Sequence, residues 1–565
     1  MKKVVLTGHD LTLKEVVMIA RGYHDCHGDH HYPVVVLSNG KDNVNENNHA
    51  DNATARIQKK RSGLEARIKA GDIIYGVNTG CGIKKGTIIP EAEIIAYQKH
   101  YIPAHCVQTG EYFPEEVVRA AMILRVNSFA TGYSAMRLET CEKILEFYNQ
   151  GIIPCVPEQG SVGSSGDLAP LAHVAAALVG LKGQNVLLPK NAITPNQRVP
   201  MPVVEALEIM NVKPLVLGAK EAMGLTNGAT FTLALGLLAI HDAKRLLSFS
   251  DLAAALSLEA IRGETAAFDP RLIGIRNNHG AKWVAERMLK LVAGSQRMTK
   301  EAREVCLPAE KGSKRYMEND QPTPRVQDAY SFRAYPPVAG SVYQAFWYAE
   351  KIFLDEINAA TDNPLVFEKA DGSFEALSGG NFHGEPLGQA ADFLKIALQQ
   401  LANISDRRFY ALTMSSTSYG LPSDLAGQTH VLLNTGLMIL QYSTAALVSE
   451  NKVLCHPSVV DSIPTSANQE DYVSMSTISA RHLTKVLKNS YRVIAAEIMA
   501  AAQGISLTEA DLAKEGHGQL GAKTDAAYKI IRSVLPPMDD DRILCVDWNK
   551  VVSLMDGDEL LSAIA

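Results

Sequence analysis

Past residue 220, apolar side chains recur at the three- and four-residue spacing of a helix over long segments of the chain. One such face comprises Phe393, Ile396, Ala397, Leu401 and Ile404, and another comprises Leu483, Val486, Leu487, Ile494 and Ile498. Alternation of apolar and polar residues with a period of two, the pattern of a strand, is brief there. The pattern predicts a mostly α protein, with a long-helix bundle over 221–565 and a smaller N-terminal mixed domain over 1–220. Gly- and Pro-rich breaks are predicted near 263–281, 361–386 and 414–427.

The charge and cysteine patterns exclude several functional classes. The 565-residue chain has a net charge of −6 and no basic block, which argues against a nucleic-acid partner. Its eight cysteines form no C-x-x-C pair, a usage typical of reduced thiols in a cytoplasmic protein. The N-terminus has only three consecutive apolar residues, and no apolar run reaches the roughly 18 residues of a membrane helix. We therefore expect a cytoplasmic enzyme or scaffold with no membrane partner.

The stretch "EQGSVGSSGDLAPLAH", residues 158–173, concentrates glycine and serine before an apolar run. Its glycines fit neither a dinucleotide-binding loop nor a P-loop, and Asp167 stands where a nucleophile elbow needs glycine. A plain helix entrance, with Asp167 as the cap, explains only its last residues. Because Gly166 has no Cβ, its amide nitrogen can approach the carbonyl carbon of Ser164 and close a five-membered ring. Loss of water from Ser165 would then leave an exocyclic methylidene.

These residues resemble the aromatic amino acid ammonia-lyases and aminomutases, whose electrophile is methylidene-imidazolone (MIO) formed from such a tripeptide. The resemblance runs from about residue 11 to 507 and is closest to the histidine branch of the family. Ser164 departs from the usual alanine, but it contributes only backbone atoms to the ring. The resemblance implies an L-aspartase/fumarase-like helical bundle and a homotetramer with active sites drawn from several chains. It also implies MIO formed from Ser164-Ser165-Gly166, with no external cofactor.

Further motifs that match the family imply the catalytic and binding residues. Tyr75, in "YGVNTGCG", would remove the β-proton of the substrate, which requires surroundings that lower the pKa of its phenol. Arg333, in "VQDAYSFR", would clamp the substrate carboxylate. The same resemblance implies contacts with the substrate or the electrophile for Asn227 in "TNGATF", Gln327 and Tyr330 in "VQDAYSFR", and Phe382 in "SGGNFHGEP". Cys81 stands where phenylalanine is usual.

Two positions indicate which amino acid is the substrate. Ala104-His105 aligns with the pair that faces the substrate ring, and Glu470 stands where the histidine branch carries glutamate. Two polar groups at the ring favour imidazole, because an apolar ring would leave both without a partner. The expected reaction is elimination of ammonia from L-histidine to give trans-urocanate. A phenylalanine or tyrosine lyase, an aromatic 2,3-aminomutase and an uncyclised, non-enzymatic helical scaffold remain as alternatives.

Two polar segments lie outside the family pattern. "HDCHGDHH", residues 24–31, offers His24, Cys26, His27, His30 and His31 as zinc or copper ligands, but a polar loop is the favoured interpretation and no metal is assigned. The Asn-rich residues 38–52 are predicted to form a surface loop.

Overall fold

The computed structural model describes residues 2–26, 28–40, 52–189, 198–307, 317–318, 321–322, 325–430 and 433–565. Most of the predicted Asn-rich loop, and His27 of the histidine-rich segment, lie outside these ranges. The chain divides into two compact units, both built from separate segments. The first contains Met1–His241, Ala349–Asp392 and Pro457–Arg481, and the second contains Asp242–Tyr348, Phe393–His456 and His482–Ala565.

Helices dominate the described chain, as the apolar periodicity predicts. In the N-terminal part they span Leu13–Arg21, Ala53–Lys69, Ile94–His105, Glu115–Ala130, Leu138–Gln150, Leu168–Leu178, Val203–Ile209 and Glu221–Thr226. The four longest are Thr230–Ala260, Tyr335–Glu356, Glu385–Thr413 and Ser476–Lys514. The others are Pro270–Ile275, His279–Leu291, Lys300–Glu304, Tyr330–Arg333, Ser415–Ser418, Met438–Leu454, Ala522–Val534, Leu544–Asp556 and Glu559–Ile564.

The strands are short and form small sheets. Lys3–Leu6 pairs in parallel with Val34–Leu37, and the helix Leu13–Arg21 lies between them in the chain. Ile153–Pro154, Asn185–Leu187 and Met201–Pro202 form a three-stranded sheet. Antiparallel pairs join Tyr23–His24 to His30–His31, Thr109–Tyr112 to Pro157–Gln159, Met317–Glu318 to Gln321–Pro322, and Leu365–Glu368 to Phe374–Leu377. The prediction of a mostly α protein is therefore confirmed.

The predicted domain division differs from the observed units. The sequence interpretation treats 1–220 and 221–565 as continuous domains, whereas the first unit continues to His241 and gains two later segments. Four of the five junctions between segments fall inside long helices, such as Thr230–Ala260 and Glu385–Thr413, and only the junction at His456–Pro457 lies between helices. A search for compositional breaks cannot find a boundary of that kind.

Only one of the two predicted apolar helix faces is fully buried. All five residues of the face from Leu483 to Ile498 are buried. In the helix Glu385–Thr413, by contrast, Leu401 and Ile404 are buried while Phe393 and Ile396 are exposed. The buried side of that helix is instead set by Leu394, Leu398 and Leu401.

In the second unit, a buried arginine and a buried glutamate on different helices form an ion pair. Arg408 donates to both carboxylate oxygens of Glu497, and Ser257 Oγ donates to the same carboxylate at 2.7 Å. Because an unpaired buried charge is costly, these bonds fix the register of three long helices.

One helix, Ser476–Lys514, has the length and composition of a membrane span among the described residues. Of its most apolar 18-residue window, 78% is buried inside the protein. A core helix of a globular protein meets the same criteria.

Candidate active site

The first unit contains a cavity of about 840 Å³ lined by segments that are far apart in sequence. Seven predicted site residues line it: Tyr75, Ala104, His105, Ser165, Asn227, Phe382 and Glu470. Its other lining residues include Cys81, Tyr97, His100, Tyr101, Met223, Asn363, Ser466 and Gln469. The cavity therefore brings together the predicted base, one serine of the tripeptide and both substrate-selecting positions.

The tripeptide Ser164-Ser165-Gly166 forms a turn whose Ser165 lines this cavity. Gly166 has φ +69°, and a Cβ added there would lie 2.0 Å from the carbonyl carbon of Gly228. The Gly228 amide donates to Ser165 O at 3.2 Å, and the Asp167 amide donates to Gly228 O at 2.8 Å. Ser164 is buried, whereas Ser165 reaches the cavity. The turn thus has the glycine, the close packing and the one accessible serine that MIO would require.

Two buried polar atoms beside this turn also fit such a group. Asn227 Oδ1 is buried and has no hydrogen-bond partner among the described residues, while Asn227 Nδ2 donates to Asn363 O at 3.4 Å. Arg125 donates to Gly224 O, but its Nη1 atom has no partner within the same ranges. Burial lowers the pKa of Arg125 to about 10, so it remains a cation at neutral pH. The Arg125 cation and the Asn227 amide would therefore lie near an electron-rich or carbonyl-bearing group at the turn.

Asp167 occupies the N-cap position of Leu168–Leu178, as the plain helix-entrance interpretation predicts, but its side chain makes no capping hydrogen bond. Its buried carboxylate accepts from Ser161 Oγ at 3.0 Å and from the Thr232 amide at 2.7 Å, near the start of Thr230–Ala260. Thr477 Oγ1 also donates to it. Burial raises the pKa of Asp167, and these hydrogen bonds act against that shift. Asp167 therefore ties the tripeptide segment to two long helices.

Segments on either side of the cavity are joined by a buried ion pair. Lys220 Nζ donates to Asp362 Oδ2 at 2.5 Å and to Ser134 O at 2.7 Å. Lys220 immediately precedes the helix that ends before Asn227, and Asp362 immediately precedes Asn363. Both cavity-lining asparagines are therefore held by the same pair.

Tyr75 lies in the cavity with its hydroxyl bonded to the backbone. The Gly82 amide donates to Tyr75 Oη at 3.1 Å. Burial is the largest influence and raises the pKa of Tyr75, while the Gly82 amide lowers it and the nearby Cys81 and Glu470 raise it. The sequence interpretation expects a lowered pKa, and this expectation is wrong for the chain as folded here. The reason is desolvation by surroundings that a local motif does not reveal.

His105 is arranged as a neutral imidazole. Its Nδ1 atom donates to Tyr101 O at 2.7 Å, and its ring stacks on that of Tyr101 with centroids 3.9 Å apart. Burial lowers the pKa of His105, against opposing effects of this carbonyl and of Glu470. A neutral ring that donates from Nδ1 presents Nε2 as an acceptor.

Glu470 supplies a carboxylate to the same cavity. Its Oε2 atom accepts from Thr465 Oγ1 at 3.3 Å, and its backbone bridges Thr465 in both directions. Ala104, the other selecting position, is exposed and has no polar atom to offer on its side chain. The cavity therefore presents an imidazole nitrogen and a carboxylate to a substrate ring.

Sequence reasoning missed several lining residues. Tyr97 and Tyr101 precede His105 by eight and four residues on one helix, so helical spacing places them on its face. Tyr97 Oη donates to Cys81 Sγ at 3.2 Å, and burial raises the pKa of Cys81 to about 11. Asn363 carries no local signal, because only the packing of a later segment brings it to the site.

Gln327, Tyr330 and Arg333 belong to the second unit and do not line this cavity. Arg333 Nε donates to Asp328 O at 3.0 Å, and the guanidinium lies 4.2 Å from the centroid of the Tyr330 ring. Tyr330 is 72% exposed, and Gln327 is exposed as well. Tyr330 and Arg333 therefore contact each other on the helix Tyr330–Arg333, whereas Gln327 precedes that helix.

The histidine-rich segment contains a short hairpin where a polar loop is predicted. Tyr23–His24 pairs with His30–His31, because alternate residues there can pair across a turn. Asp25, Asp29 and His31 place one possible metal-ligand atom each within 4.8 Å of one another, and this set shares only His31 with the ligands considered in sequence. His31 Nε2 lies 3.0 Å from Asp25 Oδ2, so a hydrogen bond accounts for part of this arrangement.

Comparison with known proteins agrees with this geometry. The family model "Aromatic amino acid lyase" matches residues 35–533. The histidine ammonia-lyase of Alkaliphilus oremlandii (strain OhILAs) is 38% identical over 564 residues, covering 100% of this chain and 99% of that protein. That of Caldanaerobacter subterraneus subsp. tengcongensis is 40% identical over 549 residues, covering 97% and 96%.

Solved structures share the fold over the full chain. Histidine ammonia-lyase from Trypanosoma cruzi superposes with a TM-score of 0.82 at 34% identity, covering 100% of this chain and 95% of that one. Tyrosine aminomutase from Streptomyces globisporus superposes with a TM-score of 0.84 at 31% identity, covering 100% and 98%. The predicted helical-bundle fold is thereby confirmed, and the chain belongs to the aromatic amino acid lyase family.

Proposed function

We propose that this protein is a carbon–nitrogen lyase that converts L-histidine to trans-urocanate and ammonia. The observation that carries the proposal is the presence of His105 and Glu470 in the cavity that also holds Tyr75 and Ser165. A phenylalanine side chain would offer the carboxylate of Glu470 no hydrogen-bond donor beyond the Thr465 hydroxyl, whereas an imidazole N–H supplies one. The full-length similarity to histidine ammonia-lyases supports the same substrate.

Ser164, Ser165 and Gly166 would form MIO, and no external cofactor is required. When formed, this group supplies an electrophile that withdraws electrons from the bound amino acid. The buried Arg125 cation and the Asn227 amide, whose Nη1 and Oδ1 atoms have no partner among the described residues, would hold charge beside it. The hydrogen bonds between the tripeptide segment and Gly228 support the bent conformation at Gly166.

The chain's own residues orient the substrate and move its proton. Glu470 accepts a hydrogen bond from one imidazole nitrogen, and His105 Nε2 offers a second acceptor to the ring or to a water molecule beside it. Tyr75 Oη, as a phenolate stabilised by the Gly82 amide, takes the β-proton and becomes the neutral phenol. Phe382 closes one apolar side of the cavity.

A panel of L-histidine, L-phenylalanine and L-tyrosine tests the proposed reaction. We expect urocanate from histidine to form fastest, followed by its ultraviolet absorbance. NMR of the products separates the lyase from an aminomutase, because an aminomutase returns the amino group to the β-carbon. Faster formation of cinnamate or coumarate, or a β-amino acid as the main product, contradicts the proposal.

Glu470→Gln tests the selectivity argument with little change of shape. We expect kcat/KM for histidine to fall roughly 10- to 100-fold, since a charged hydrogen bond is worth about 1.5–3 kcal/mol, while any activity on phenylalanine does not fall. The matched control is Asp471→Asn, which removes a charge from the next, exposed residue outside the cavity. Equal losses for both variants would mean that net charge, and not recognition of imidazole, explains the effect.

We also propose a cytoplasmic homotetramer in which Gln327, Tyr330 and Arg333 serve an active site of a neighbouring subunit. The exposure of Gln327 and Tyr330 supports this, as does the exposure of large apolar side chains in the second unit: Phe393, Ile396, Tyr442 and Val453. Apolar side chains exposed in such numbers favour burial against another copy of the chain.

Complementation between two inactive variants tests the shared site. Tyr75→Phe and Arg333→Ala are each expected to be nearly inactive as homotetramers. When they are co-expressed with different tags and purified through both, some sites combine two intact parts, so partial activity should return. Doubly tagged tetramers without any activity, or a monomeric wild type by light scattering, would contradict this assembly.

A further inference from the structure

The turn between Thr465 and Glu470 has an unusual backbone. Ser466, Ala467 and Asn468 have φ values of +49°, +51° and +65°, a left-handed conformation that is unfavourable for residues with a Cβ. The turn is closed by Thr465 and Glu470, whose amides and carbonyls bond to each other at 2.8 and 3.2 Å. Three such residues in a row persist only where the surrounding structure holds them.

This turn touches the segment that carries the predicted base. Ser466 Oγ accepts from the Ile83 amide at 3.3 Å, and Lys85 Nζ donates to Gln469 Oε1. A Cβ on Gly82 would lie only 2.3 Å from Ser466 Oγ, and Gly82 has φ +57°. Gly82 is therefore required at this position for the two segments to meet.

The contact leads directly to Tyr75. Gly82, which packs against Ser466, donates its amide to Tyr75 Oη at 3.1 Å. This is the hydrogen bond that lowers the pKa of Tyr75 against the larger effect of burial. At the other end of the same turn, Glu470 faces the cavity.

We propose that Ser466 is a positioning residue, which holds the Gly82 amide against Tyr75 Oη and so links the orientation of the base to the carboxylate of Glu470. The inference rests on the proposed role of Tyr75 as the base. The same turn therefore positions both Glu470, which recognises the substrate ring, and Tyr75, which removes the β-proton.

Ser466→Ala is the principal test, with Ser462→Ala as its matched control. Ser462 Oγ also accepts a backbone amide, that of Val473 at 3.0 Å, but it does not contact the Tyr75 segment. In Ser466→Ala we expect kcat to fall about tenfold and the ascending limb of the pH–kcat profile to move up by about one unit, with KM for histidine changed little. Ser462→Ala should match the wild type in all three.

Hydrogen exchange of peptides covering residues 75–90, in the resting enzyme without substrate, gives a readout that does not depend on activity. We expect faster exchange in Ser466→Ala than in Ser462→Ala. Ser466→Gly, which relieves the left-handed strain but also lacks the hydroxyl, should show the same pH shift. It provides a second variant if alanine prevents folding.

Each outcome bears on the inference. Unchanged exchange in Ser466→Ala, or faster exchange with an unmoved pH limb, overturns it. Failure of the proposed function would instead show as a Tyr75→Phe variant with wild-type activity, or as no urocanate from the wild type, and neither result involves Ser466.

Discussion

Ser165→Ala leaves a folded protein that lacks the methylidene and loses essentially all lyase activity. We expect kcat to fall by roughly three orders of magnitude or more, about 4 kcal/mol, because the site loses its electron sink. The loss follows from the chemistry of the turn. Closure joins Gly166 N to the carbonyl carbon of Ser164 and releases one water, and the hydroxyl of Ser165 leaves in a second. Intact-mass analysis should find the wild type lighter by two waters and Ser165→Ala lighter by one at most.

Two neighbouring variants separate closure of the ring from dehydration. Gly166→Ala places a Cβ 2.0 Å from the carbonyl carbon of Gly228 at a φ of +69°, so the turn should not close and both waters should remain. Ser164→Ala restores the residue usual in the family and should still lose both waters, since Ser164 contributes only backbone atoms to the ring. A wild-type chain that keeps both waters yet releases urocanate would remove the basis of the mechanism.

The local parts of the site could be predicted from sequence because they are encoded in short motifs. Gly166, the half-buried Ser165 and the proposed imidazole-selecting residues His105 and Glu470 each stand in a recognisable stretch, and all but buried Gly166 line one cavity. Their convergence was implied by family resemblance and not by composition. No property of residues 75, 105, 165 and 470 taken separately says that they meet, since long-range packing decides this.

The structure differs from the sequence predictions where tertiary contacts override a local sequence signal. Asp167 stands at a helix entrance, yet its carboxylate accepts from Thr232, because buried donors on another helix lie closer. Phe393 and Ile396 fit a helical apolar face but are exposed, since the face that packs is set by Leu394 and Leu398. The phenol of Tyr75 is more desolvated than its glycine-rich motif suggests, so its pKa moves up.

Tyr75→Phe removes the proposed base but leaves the residues that form the electrophile unchanged. We expect kcat to fall by about 10²–10⁴, the usual contribution of a positioned general base, with KM for histidine changed much less. The mass should still show the loss of two waters, because Tyr75 takes no part in closing the turn. Steady-state kinetics and intact mass on the same sample therefore separate a failure of chemistry from a failure of maturation.

The pH dependence of kcat tests independently whether Tyr75 is the base. Burial raises the pKa of Tyr75 above its ordinary value of 10, so the phenolate is a small fraction near neutral pH. If that phenolate removes the β-proton, kcat rises with pH through the neutral range, and this ascending limb disappears in Tyr75→Phe. Substrate deuterated at the β-carbon should slow the wild type wherever proton removal limits the rate.

Tyr97→Phe is the appropriate comparison, because it removes a second phenol from the same cavity. Its hydroxyl donates to Cys81 Sγ and has no bond to the Gly82 amide, so we expect a loss of less than about tenfold with the ascending limb retained. If Tyr97→Phe instead shows the larger loss and abolishes the limb, the base is Tyr97. The Gly82 amide would then have a purely structural role in holding Tyr75, since stabilising a phenolate matters only for the residue that carries the charge.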